Sequence, residues 1–566
     1  MMDKKTIWVV VGCIIAMLLA QRVIDKLYPP HPKAAMTSNA TGTAQAPVAT
    51  NNVVSAQQTS VPNAAAPSVN ATPKESPSQP QQPRPTEQVV SLSNDFVQVD
   101  FTSWGGGVRS VELLKHKTAG DGPVVLNGTN LIPALSLTGV AGAGSNDVYT
   151  LQITNANTVV MRSGNGVAKT VTLSNDYVMS VSVQMPMTDA ASGTIGMVVG
   201  TVGPTQPREM PNYLVVDWAG ASKFRNRTLP RIADREKAGK TWEAISTGWV
   251  AVKSQYFTMV LTPVTNITGV TCDTVNLSTS APPATIRGVM ATADVPMTRS
   301  ADGTESCSFT FYTGPKDYDR LESLGKDQQE LMDFGTPLDF YSGLFGIILL
   351  RSLNFFYRLI PNYGVAIILV TVAIKVIFWP IQAKSIQSMK AMQKFQPLMN
   401  KLREKYKDDP QRLNTEMMKL YKEHKINPFS GCLPMVVQLP VLYAIYRVLL
   451  NAIALRGAPF LWIHDLAQPD TIATIAGLPI NPLPIAMTAG TFMQQKMTPT
   501  GGDPQQQKMM MFMPIMMLFF FYRLAAGLTL YYTLQQGLSV LQQWRSMRQR
   551  AADSTAAPAS SAGKLK

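Results

Sequence analysis
The chain has 566 residues, 45% of them hydrophobic, and a formal net charge of +14; it is too long for one small domain and implies a soluble part joined to a membrane part. Its four cysteines (Cys13, Cys272, Cys307, Cys432) include no CxxC pair and its four histidines (His31, His116, His424, His464) no HExxH cluster, so zinc and thioredoxin-like chemistry find no support. The positive excess fits nucleic acid, an anionic membrane surface or the cytosolic faces of a membrane protein, and position along the chain decides among them.

At the start, Lys4 and Lys5 precede an apolar stretch from Thr6 to Ala20 with no convincing small-x-small cleavage site. Val10-Val11-Gly12-Cys13 fits a lipoprotein cleavage box only loosely, and cutting there leaves IIAMLLA as a hydrophobic stub. Residues 1–28 therefore read as an uncleaved anchor with its lysines in the cytosol. Residues 29–88, rich in Pro, Ala, Ser, Thr, Asn and Gln, cannot bury a core and read as a disordered tether.

From 89 to 325 short alternating runs are broken by Gly, Asn, Asp and Pro. VQVDF (97–101), YVMSVSVQM (177–185), VAVKSQYFTMVLTP (250–263) and CSFTFYTG (307–314) predict strands, and WGGG (104–107) a turn. The expectation is an all-β sandwich outside the inner membrane, where Cys272 and Cys307 share an oxidising space and are candidates for a disulfide. DREKAGKT (234–241) ends like a phosphate-binding loop, but Asp234 replaces its first glycine and no apolar strand precedes it. It reads as a surface loop.

FYSGLFGIILLRSLNFFYRLIPNYG (340–364) is apolar, yet Arg351 and Arg358 lie seven residues apart on one helical face, so 338–360 predicts an amphipathic helix in the interface plane. A span follows over 362–380, ended by Pro380 and carrying Lys375 well inside its apolar limits. Within 381–428, Phe395, Leu398, Leu402 and Tyr406 form one apolar stripe and Leu413, Met417, Leu420 and His424 another. Asp409 and Pro410 start the second arm of this helical hairpin, and Pro397 kinks or restarts the first. Lys401, Arg403, Lys405 and Lys407 crowd its outer face and mark it as cytosolic.

Further spans are expected over 432–454, 473–493, 509–523 and 526–544, giving six with the anchor. Threaded from a cytosolic start, the hairpin, the Lys496–Lys508 loop and the tail 546–566 fall inside, and the β domain and Arg456–Asp470 outside. The positive charge is then mostly orientation, and nucleic-acid binding by the chain itself is not expected.

An anchor, a β domain and five spans with a charged hairpin after the first together resemble the YidC/Oxa/Alb insertases, in the form with a large outer domain. YGVAII (363–368), the positive residue before WP (379–380), INPFSGCLPMVVQLP (426–440), LRGAPFLWIHDL (455–466), QQKM…DPQQQKMMMFMP (494–514) and GLTLYY (527–532) carry the resemblance, with WVAVKSQYF (249–257) in the outer domain. The resemblance implies an α-helical transmembrane bundle whose core, 361–545, surrounds a hydrophilic groove open to cytosol and lipid, beside a periplasmic all-β sandwich. It implies a Gram-negative type inner membrane, both termini cytosolic, and a membrane protein insertase and chaperone that is no enzyme, has no cofactor and hydrolyses no nucleotide. Its partners would be nascent membrane proteins, the Sec translocon, transiently the ribosome, and membrane lipids. The outer domain of such relatives resembles a sugar-enzyme β-sandwich, with no activity implied.

The groove's basic residue, usually arginine, is Lys375 here, which keeps the charge but loses the planar five-donor fork. Snorkelling to the cytosolic headgroups is the alternative for Lys375. Thr371, Gln438 and Tyr532 join it as candidate groove residues. Arg447 reads as an outward snorkeller or a helix-packing partner, and Ala525-Ala526-Gly527 as a loosened form of the outer turn before the last span. The methionines at 487, 493, 497, 509–511, 513, 516 and 517 serve either ordinary packing or an adaptable client surface. Two other classes compete: a secondary transporter or channel, which lacks the expected repeat-related broken helices here, and an envelope carbohydrate-binding protein led by the β domain.

Overall fold
Period-two alternation becomes strands whose inward residues are buried, as in Val97–Thr102 and Val178–Pro186. The computed structural model describes residues 86–118, 122–128, 132–186, 193–206, 209–219, 224–278, 285–334, 340–407, 409–423, 433–475, 478–497 and 504–556. The anchor, nearly all of the tether, Cys13, His424 and Cys432 lie outside the described residues.

The outer domain holds antiparallel sheets of four, five and ten strands. The ten-stranded sheet centres on Phe257–Pro263, Thr304–Pro315 and Val178–Pro186, paired in that order. The five-stranded sheet centres on Ile267–Ser278, Thr285–Pro296 and Thr194–Val202. Trp218, Trp249, Tyr256, Phe257 and Phe311 are buried in the core they share, each such large apolar side chain worth ~1.5–3 kcal/mol relative to exposure. Gly105 and Gly106 take φ of +66° and +50° at the WGGG turn, and a Cβ on Gly106 would stand 2.5 Å from the Tyr149 ring. The buried Lys169 ammonium holds this turn, donating to the carbonyls of Gly105 and Gly106 at 2.8 Å and of Leu135 at 2.9 Å.

Two expectations for this domain are corrected. Cys272 and Cys307 are free thiols on different sheets, Cys272 facing Ala291 and Cys307 facing Val183 across their ladders, so no disulfide joins them. Burial pushes both thiols up to about 12, which keeps them protonated and inert. Residues 234–237 of the DREKAGKT stretch close a short helix, α1 (Leu229–Lys237), rather than a loop, because Ile232 and Ala233 pack one face into the domain. A second helix, α2 (Tyr318–Ser323), is capped where Asp317 accepts the Arg320 N–H at 3.1 Å.

The second half is helical: α3 (Phe340–Leu359), α4 (Tyr363–Lys394), α5 (Gln396–Lys405), α6 (Pro410–Glu423), α7 (Leu433–Asn451), α8 (Pro482–Met497), α9 (Pro504–Phe521) and α10 (Ala526–Ala556). Among the described residues one helix, over Tyr363–Ala383, is long and apolar enough to cross a membrane, while Val441–Asn451 and Phe512–Phe521 are shorter apolar helices. Pro380 does not end α4, which runs on to Lys394. Proline removes one helical hydrogen bond, and the residues after it, IQAKSIQSMKAMQK, contain no further proline or glycine to stop the helix. The expected span over 473–493 is also corrected: Ala473–Ile475 and Leu478–Ile480 pair as two short strands before α8 begins. Thr471, Ile472, Thr474 and Ile475 are β-branched. Pro482 sets the helix start, and the Asp470 carboxylate accepts the Leu483 N–H there at 2.6 Å.

In the cytosolic-type hairpin α5 and α6 pack together, with Asp409 accepting the Arg412 N–H at 3.0 Å as cap. Met399 is buried in the seam, whereas the expected Leu398 is exposed. The outer turn is not loosened: Ala526 and Gly527 donate to the Gln468 and Leu466 carbonyls at 2.7 and 2.8 Å, and Ala525 and Ala526 are buried.

Candidate functional site
Helices α4 and α10 supply the described side chains of the site. Thr371 and Lys375, one turn apart on α4, both face inward. The Thr371 hydroxyl is turned back onto the Ile367 carbonyl at 2.6 Å, leaving the hydroxyl oxygen able to accept. Lys375 lies ~18 Å along the helix from Tyr363 at ~1.5 Å per residue, so its charge sits well inside the apolar stretch. Its side chain is only 4% exposed and its ammonium donates to Ser539 Oγ of α10 at 2.7 Å. Ser539 in turn donates to the Gln535 carbonyl at 2.8 Å. Among the described residues no carboxylate lies within ion-pair distance of Lys375. An ammonium has three donors, and Ser539 is its one acceptor among the described residues. The buried side-chain oxygen of Gln535 is without a partner among the described residues.

Tyr532 precedes Ser539 by seven residues on the same face of α10, half-buried with its ring edge against Phe521 at 4.7 Å. Gln438 falls on α7, among residues whose side chains are not described. The structure brings Lys375 of α4 to Ser539 of α10, two turns along that helix from Tyr532. The residue that meets Lys375, Ser539, was not singled out in the sequence, although LQQGLSVLQQ (534–543) places polar side chains at helical spacing inside an apolar span.

Toward the outer end, Leu349, Leu353, Ile367, Val370, Ile445, Val448, Leu449 and Tyr531 close around a void of about 20 Å³. These apolar residues lie where α3, α4, α7 and α10 meet. Arg447 is a packing partner, not a snorkeller: its Nε donates to the Asp333 carbonyl at 2.8 Å and its guanidinium pairs with the Asp333 carboxylate. Gln255 of the outer domain also donates to the Leu450 carbonyl at 2.8 Å, so that domain is seated on the end of α7. At the other end of the bundle, Lys401, Lys405 and Lys407 are exposed and Arg403 is half-buried. Phe512, Met513, Ile515, Met516, Phe519 and Phe520 expose a continuous apolar face on α9.

A β-sandwich joined to an apolar helical bundle with a charge buried inside defines a membrane-integrated protein. Residues 89–345 match the family described as YidC periplasmic domain, and residues 355–553 that described as 60Kd inner membrane protein. A membrane protein insertase YidC of Pelobacter propionicus is 31% identical over 577 residues, covering 96% of this chain and 98% of its own. One of Nitratidesulfovibrio vulgaris is 36% identical over 396 residues, 68% of each chain. The solved structure of an active YidC insertase with its first transmembrane domain resolved is 19% identical, covers 81% of this chain and 92% of that one, and has a TM-score of 0.34. The chain belongs to the YidC family of membrane protein insertases.

Proposed function
We propose that the chain inserts hydrophobic segments of newly made proteins by offering their polar flanks a hydrated intramembrane face at Lys375, without nucleotide hydrolysis or other bond chemistry. Six spans cross the inner membrane: the anchor, then α4, α7, α8, α9 and α10 with the strand pair completing the third of these. The α5–α6 hairpin, the loop between α8 and α9 and both termini lie in the cytosol, where the positive residues gather. The basic hairpin, with Lys401, Arg403, Lys405 and Lys407, makes first contact with a client emerging from the ribosome. The client's short flank then rests beside Lys375, with Thr371, Gln438 and Tyr532 lining the same face, while its apolar segment slides to lipid. Hydrophobic transfer drives the step, and the membrane potential pulls acidic flanks outward at ~2.3 kcal/mol per charge per 100 mV. The chain works alone or with the Sec translocon as partner.

The observation that carries this reading is the Lys375 ammonium, buried in the bundle with one hydroxyl and no carboxylate as its partner among the described residues. Burying a charge so poorly satisfied is costly, and the cost is removed when water or a carboxylate occupies the face. The test is reconstitution of the purified chain in liposomes without nucleotide, with a single-span client scored by protease protection. Insertion above that of empty liposomes is expected. A requirement for ATP, or for added translocon with every client, would refute it.

A further inference from the structure
We infer that the strand pair Ala473–Ile475/Leu478–Ile480, together with Leu461 and Trp462, forms an apolar foot that sits in the outer leaflet of the bilayer. The inference rests on the topology proposed above, which puts this connection between α7 and α8 on the outer side.

Four observations choose lipid as the occupant. First, Ile475 is 63% exposed, Leu478 71% and Leu461 75%, with Ile472 and Trp462 also exposed, so the described residues leave these apolar side chains uncovered. Second, no charged residue occurs between Asp470 and Lys496, nor from Gly457 to Ile463, whereas a protein-facing rim or an aqueous loop is normally polar. Third, α8 has 16 residues, ~24 Å at ~1.5 Å per residue, short of the ~30 Å hydrocarbon core. Strands of three residues add ~10 Å at ~3.3 Å each and carry the apolar surface on from the exposed faces of α8 and α9 without a break. Fourth, the strand pair is fastened to the bundle: the Leu483 N–H donates to the Asp470 carboxylate at 2.6 Å. Thr471 and Asn481 pair at 2.7 Å, Asn481 donates to the Tyr522 carbonyl at 2.6 Å, and the Tyr522 hydroxyl donates to the Pro479 carbonyl. An isolated two-stranded pair is marginal in water. Fixed this firmly with its apolar side chains outward, it is built for a nonpolar medium, and the exposed Trp462 suits the headgroup boundary.

The test places a nitroxide at Ile475→Cys and, separately, at Leu478→Cys in the full chain, with Cys13→Ser and Cys432→Ser to remove competing thiols. Phe519→Cys on the exposed face of α9 and Val264→Cys on the outer domain are the lipid and water references. The proteins are placed in phospholipid vesicles, and accessibility to oxygen and to a water-soluble nickel chelate is measured. Labels at 475 and 478 are expected to show an oxygen-to-nickel ratio severalfold above that at 264 and close to that at 519. If 519 is lipid-exposed while 475 and 478 are as open to nickel as 264, the foot is aqueous and the inference fails alone. Protection of both positions from both reagents would also overturn it, in favour of a protein cover. If 519 itself is open to nickel, the topology fails and the inference with it.

Discussion

Replacing Lys375 by alanine is expected to slow insertion of a client with an acidic outer tail about tenfold, while a neutral-tailed client changes little. Two unit charges ~4 Å apart gain ~4 kcal/mol at an effective dielectric near 20. A hydrated face screens that to roughly 1–2 kcal/mol, and ~1.4 kcal/mol is tenfold in rate. Lys375→Arg is expected to work, because the sign of the charge is kept and a hydroxyl partner such as Ser539 does not need lysine's geometry. Lys375→Glu should be slower than alanine for acidic tails, since attraction becomes repulsion. Insertion rates for the four proteins, each with acidic and neutral tails, decide the matter. Equal insertion of both tails by the glutamate variant would remove charge from the mechanism and leave only the shape and hydration of the face.

The second large effect lies in the outer domain. Lys253 and Asp217 form an ion pair with side chains 4% and 0% exposed, set on neighbouring strands, and Lys253 also donates to the Leu331 carbonyl at 3.1 Å. Lys253→Ala strands the carboxylate, and breaking such a pair costs ~3–5 kcal/mol. The buried Lys316 stays close enough to act on Asp217, so the lower end of that range is expected. Burial raises the Asp217 carboxyl from its ordinary value to about 6, with the Lys253 charge opposing the rise. A carboxyl raised on folding binds its proton more tightly in the folded state, so its contribution to stability falls as pH rises from 3.8 to about 6. Without Lys253 the carboxyl rises further, and the deficit of the variant should shrink on going from pH 8 to pH 5 as the carboxyl takes up a proton. Lys253→Met with Asp217→Leu should recover much of the loss, because two apolar groups leave nothing unpaired. Thermal unfolding of the parent and the two variants at both pH values checks this. A Lys253→Ala deficit that is small, or independent of pH, would mean that Lys316 already neutralises the site.

Much of the architecture was legible because the core writes its period into the chain. Val97–Thr102 alternates, and the α5–α6 hairpin declares itself through the Asp409 cap. Lys375 was legible because a charge in an apolar run is rare. What escaped depends on contacts distant in sequence or on competing propensities. Ser539 meets Lys375 across 164 residues and Asp333 meets Arg447 across 114, and no local pattern encodes either pairing. The strand pair before α8 was hidden because an uncharged run of Thr, Ile and Ala satisfies a span and a strand equally. The signals that separate them are Gly477, Pro479 and Pro482. Leu398 and Met399 exchanged places because the helix restarts at Gln396, which rotates the apolar stripe. Pro380 misled because proline bends a helix as often as it ends one.

The central claim is that a client's acidic flank passes beside Lys375, and zero-length carbodiimide coupling of a stalled client to the reconstituted chain tests it most directly. The account predicts an amide between a flank carboxylate of the client and the Lys375 amine, absent in Lys375→Arg, whose guanidinium does not couple. Coupling confined to Lys401, Lys405 and Lys407, with none at Lys375 while the client inserts normally, would contradict it.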